Sequence, residues 1–167
     1  LKHLRAAVIS SPLALACDAM QRAVAEGNAI LTSLCRQLGA RAALVKDTAS
    51  PVVWWRSGPI QRPAVADQLT ELWQKAEIEL AGGLLRRGAR LRVCRYREQP
   101  FGFVFSFAGI YLLLVACPSE FNRFAAEPHV RRATALLEQL VPRLPPRARD
   151  RNGPVGLARS RRRRAPR

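Results

Sequence analysis

The residues best suited to nucleophilic, acid–base or metal chemistry in this 167-residue chain are two histidines, His3 and His129, and four cysteines, Cys17, Cys35, Cys94 and Cys117. Neither histidine has a Cys, Ser or Asp partner at a catalytic spacing, so a structural or surface role is expected for both and no catalytic residue is assigned. The cysteines form no CxxC pair and no metal-ligand spacing, and neither a metal nor a cofactor is expected. Cys17 and Cys35 lie five helical turns apart, which places them on one face but roughly 27 Å from each other, beyond disulfide reach. The expected state is four reduced thiols packed as small apolar groups in a cytoplasmic protein. Gly82-Gly83 has no Gly-Lys-Ser/Thr after it and no strand before it, so it reads as a helix stop, not a phosphate loop.

Charge and aromatic residues point instead to binding. The net charge is +16, but residues 143–167 hold ten arginines and one aspartate, so the first 142 residues carry only +7. Within this tail Arg161, Arg162, Arg163 and Arg164 form a polyanion handle for nucleic acid, anionic lipid or an acidic protein surface. No aromatic residues interleave with them, so nucleic-acid binding would be phosphate-driven and blind to sequence. Trp54 and Trp55 are adjacent in a strand-like run and should point to opposite faces, one into the core; the other packs ordinarily if a helix covers its face and otherwise is a contact residue beside Arg56, with Trp55 taken as the contact candidate. Arg90, Arg92, Arg95 and Arg97 interrupt an apolar run that includes Val93, the signature of an exposed edge strand. Those charges either block aggregation or meet an acidic partner.

These residues are positioned by a regular succession of elements. Ser11-Pro12 opens a long helix whose apolar stripe runs from Leu13 through Ala16, Met20, Ala23, Ile30, Leu31 and Leu34 to Leu38, with Gly27 as a weak place in it and Gly39 as its stop. Two short runs, Arg41 to Lys46 and Val52 to Arg56, form a hairpin. A second helix starts near Ala64 and aligns Leu69, Leu72, Trp73 and Ala76. Three strands follow between Arg90 and Cys117. The middle one alternates Phe101, Phe103, Phe105 and Phe107 with small residues, and the last, after an Ala108-Gly109 turn, is apolar on both faces and therefore central. Residues Ser119 to Ala126 have room for a turn of helix, Pro128 is read as the start of the last helix proper, and Pro142, Pro145 and Pro146 as its end. The fold class is α+β: a five-stranded antiparallel sheet flanked by helices, in one domain over residues 1–146 with a disordered Arg-rich tail over 147–167. The longest apolar run is too short to span a bilayer, and no signal peptide is expected.

This element order, with FAGIYLLLVAC leading into FNRFAAEPHVRRATALLEQLVPRLPP, resembles the Roadblock/dynein light chain family, in particular proteins of this type from bacteria such as myxobacteria. The resemblance covers about residues 12 to 141 and implies a non-enzymatic protein. It implies a homodimer or heterodimer joined edge to edge through the third strands with the second helices side by side, and a small Ras-like GTPase as partner. On this reading Arg90, Arg92, Val93, Arg95, Arg97, Leu69, Trp73 and Trp55 form the contact surface. An Arg-rich strand paired with itself would bring like charges together, which Glu98 or a different partner would relieve. Two alternatives stand beside it: a basic adaptor working through its tail, and a GAF-like small-molecule sensor. The second helix occupies the interval that a sensor of that kind needs to enclose its ligand.

Overall fold

The computed structural model describes residues 12–48, 52–81, 91–96, 99–118 and 121–144, with backbone placement only for 12–15, 79–81, 91–96 and 99–101. Helix α1 spans Pro12–Leu38, strands β1 and β2 span Ala42–Asp47 and Val53–Ser57, and helix α2 spans Pro63–Ala81. Strands β3 (Leu91–Tyr96), β4 (Gln99–Phe107) and β5 (Tyr111–Ala116) precede helix α3 (Arg123–Leu140) and a 3₁₀ turn at Val141–Arg143. All pairings are antiparallel, in the order β2-β1-β5-β4-β3. The α+β class, with an antiparallel sheet between helices, is the one expected.

Period-two patterning explains the layers. Phe103, Phe105 and Phe107 of β4 join Tyr111, Leu113 and Val115 of β5 on the face covered by α1 and α3, whose Leu31, Leu34, Val130 and Leu137 fill the same core. The alternate residues Val104, Leu112 and Leu114 face α2, through Val65, Leu69, Leu72 and Ala76. β5 is thus buried on both faces, as its unbroken apolar run requires. Gly102 lets α2 come close, because a Cβ there would lie 2.8 Å from Leu72 Cδ1. In the three-residue connection between the paired Phe107 and Tyr111, Ala108 and Gly109 have left-handed φ of +48° and +71°, and the Ile110 amide donates to the Phe107 carbonyl at 3.3 Å.

Three expectations are corrected. First, α3 begins at Arg123, not Pro128: Asn122 caps it by accepting hydrogen bonds from the amides of Phe124 and Ala125 at 3.0 and 3.3 Å, so the proline lies inside the helix. Second, the tryptophans do not alternate. The β1–β2 register pairs Val45 with Trp55 and Lys46 with Val53, skipping Trp54, and this bulge turns both indoles toward the α1–α3 core. Third, Gly27 is no weak place in α1. Trp55 packs against it where any Cβ would collide with the indole, and the indole Nε1 donates to the Ala23 carbonyl at 3.0 Å. The side chain of Phe101 and the stop at Gly82-Gly83 lie outside the described residues.

Candidate protein-interaction surfaces

The sheet has two outer strands of unlike character. At β2 the outward amide of Arg56 donates to Asn28 Oδ1 of α1 at 2.8 Å, and the Ser57 hydroxyl lies 3.0 Å from that of Thr32. The Asn28 side chain thus takes up a backbone hydrogen-bonding position that another strand would need. At the other end β3 pairs with β4 alone in the sheet. Arg92, Val93 and Arg95 stand there opposite Val104, Phe103 and Pro100. The expected edge is therefore at the edge. Arg90 and Arg97 lie outside the described residues, as do Arg161, Arg162, Arg163 and Arg164.

The contact residues proposed on the other elements divide. Trp55 is fully buried and belongs to the core, which corrects its reading as a contact residue. Leu69 is also corrected: it is 6% exposed and its side chain seals α2 onto the sheet. Trp73, half-buried on the flank of α2, leans over β1 with its ring centroid 3.5 Å from Lys46 Nζ. Ile78 is exposed farther along α2. Next to Trp73, a groove of about 420 Å³ opens between α2 and the β1–β2 end of the sheet, lined by Leu44, Lys46, Val53, Ile60, Thr70 and Leu114 among others. The sequence does carry a signal for this groove. Ala42, Leu44 and Lys46 share one face of β1, and the lysine stands where the alternation calls for an apolar residue.

Among the described residues no group of three or more His, Cys, Asp and Glu could hold a metal ion. Cys35 and Cys117 are buried, but Cys17 is exposed, correcting the expectation that all four thiols are packed; the side chain of Cys94 lies outside the described residues. Burial pushes the Cys117 thiol up to about 12, with the neighbouring Cys35 adding to the shift. Burial also raises Cys35, against a hydrogen bond with Ser57 that lowers it. Such thiols are inert. No helix among the described residues is long and apolar enough to cross a membrane.

Neither a protein-family model nor a curated protein sequence matches the chain. Solved structures do. MglB of Myxococcus xanthus is similar over 75% of this chain and 94% of its own, at 12% identity and a TM-score of 0.54. The gliding protein MglB of Thermus thermophilus is similar over 71% and 90%, at 19% identity and a TM-score of 0.47. An MglB in a tetrameric arrangement is similar over 75% and 93%, at 20% identity and a TM-score of 0.47. At these identities the likeness is one of architecture. The chain has the Roadblock-like fold of MglB.

Proposed function

We propose that the protein is a non-enzymatic Roadblock-like dimer that binds a small Ras-like GTPase and regulates or scaffolds it. The observation that carries this reading is the difference between the two sheet edges: the Asn28 side chain of α1 takes an outward amide of β2, while among the described residues β3 is paired on one side only. Pairing at β3 would extend the sheet into a second subunit and bring the α2 helices near each other, with Ile78, 72% exposed, as an apolar contact on that helix. Arg92 and Arg95 would then set partner preference, since like charges opposed across a strand pair are unfavourable and an acidic heteropartner would relieve them.

The test is mass by light scattering at micromolar concentration, followed by mixing with a Ras-like GTPase from the same genome in its GDP and GTP-analogue states. Wild type should run as a dimer and capture the GTPase. Val93→Pro, which removes a strand donor, should run as a monomer while keeping a cooperative thermal transition. A wild-type chain that stays monomeric, alone and with the GTPase, would overturn the reading.

A further inference from the structure

Pairing at β3 leaves the groove beside Trp73 untouched, because the groove lies at the opposite end of the sheet. Leu44, Val53, Ile60 and Leu114 line it, and Val53 is 44% exposed. Lys46 stands among them with its ammonium over the Trp73 ring. The ring face satisfies one side of that cation, and among the described residues no carboxylate pairs with it. Arg56 stands opposite Leu44 in the ladder and so adds a second cation on the same face. Among the described residues no Asp or Glu lines the groove, and Glu71, on the same helix as Trp73, is held by Lys75 at 3.3 Å.

From this we infer that the groove binds a segment of a partner protein in which carboxylate side chains stand beside apolar ones. Both halves are required by the energetics. A purely apolar segment would strip water from Lys46 and leave the charge uncompensated, while a purely acidic one would leave the apolar floor wet. A carboxylate over the open side of the ammonium with an apolar side chain against Val53 and Ile60 meets both demands. The groove has room for a few side chains, which suits a short helical or extended segment and not a whole domain docked face to face. The inference does not rest on dimerisation through β3, and each subunit of a dimer would carry one such groove.

The experiment uses the full chain and a fluorescein-labelled 15-residue peptide with Leu and Glu at helical spacing, read by anisotropy. Two controls replace every Glu by Lys, or every Leu by Ser. The Arg-rich stretches attract any acidic peptide, so the variants decide. Wild type and Lys46→Arg should bind the Leu/Glu peptide alike, whereas Lys46→Glu and Val53→Glu should each weaken it by about tenfold or more. Val53 is an exposed rim position, so Val53→Glu guards against the case in which Lys46→Glu fails to fold. Equal binding by wild type and both Glu variants would overturn the inference, as would equal binding of the Leu-free acidic control. Neither result would bear on the mass of the protein in solution, which tests the dimer separately.

Discussion

Single residues here take their meaning from what lies across from them, and Gly27 is the clearest case. By helix propensity alone, Gly27→Ala should stabilise α1 by about 1 kcal/mol. The added methyl would, however, meet the Trp55 indole, which is fully buried and anchored to the Ala23 carbonyl on the same helix. Overpacking of that kind costs about 1–3 kcal/mol or more, so the clash should win. We expect Gly27→Ala to lower the midpoint of chemical denaturation, and a rise would show that Trp55 is free to move aside. The buried thiols make a second prediction at this scale. Cys35 and Cys117 both titrate higher in the folded protein than in the unfolded chain, chiefly because burial penalises the thiolate. Their contribution is therefore complete below pH 9, where both states hold the proton, and it fades as pH climbs toward about 12 for Cys117 because only the unfolded chain then gains by ionising. Denaturation midpoints measured above pH 9 should fall more steeply for wild type than for Cys117→Ala. Parallel slopes would contradict the assignment.

At the level of elements, the α1–β2 junction links packing to association. Asn28 reaches from α1 to the Arg56 amide at the outer edge of β2, a role that helix periodicity alone does not disclose. Removing it with Asn28→Ala should cost about 0.5–1.5 kcal/mol of stability, since water can replace an exposed hydrogen bond. The larger effect should be on assembly, with the freed edge driving concentration-dependent association that light scattering would register. If the mass distribution stays that of wild type, Asn28 is not what keeps the edge closed. Much of this architecture was legible in the sequence, because it follows from periodicity: the phenylalanine alternation in β4, the doubly apolar β5 and the stripe of α1 each allow one arrangement. The misreadings share a cause, which is that a local rule was overruled by a contact or cap not visible in the local pattern. Pro128 was read as a helix start, but Asn122 had already begun the helix. Trp54 and Trp55 were read as alternating, but a bulge cancels the alternation. The surface was harder still. Leu69 and Trp73 fall on the same apolar stripe of α2 and both line the groove, and only the placement of the sheet beneath the helix decides that Leu69 is buried while Trp73 stays half-buried.

For the whole molecule, the question is how the folded domain and the strongly basic C-terminal stretch share the work of binding. Residues 147–167 offer few apolar side chains beyond Val155 and Leu157, so little of the hydrophobic stabilisation can come from them. Cutting the chain after Pro146 should leave the thermal transition nearly unchanged, and a fall of several degrees would show that the removed stretch packs on the domain. The same truncation separates the two modes of binding. A GTPase held through α2 of the dimer should bind the truncated and full chains alike and respond only modestly to salt, because apolar contacts from that helix would carry the affinity. Binding to duplex DNA, if carried by Arg161, Arg162, Arg163 and Arg164, should vanish on truncation. In the full chain, neutralising about four phosphates implies a loss of roughly fiftyfold in affinity between about 50 and 150 mM salt. We expect the domain to select a protein partner and the arginines to add a weak, salt-sensitive attraction toward any polyanion. A GTPase complex that collapses on truncation, with the steep salt dependence of the DNA complex, would move the functional weight from the sheet edge to the tail.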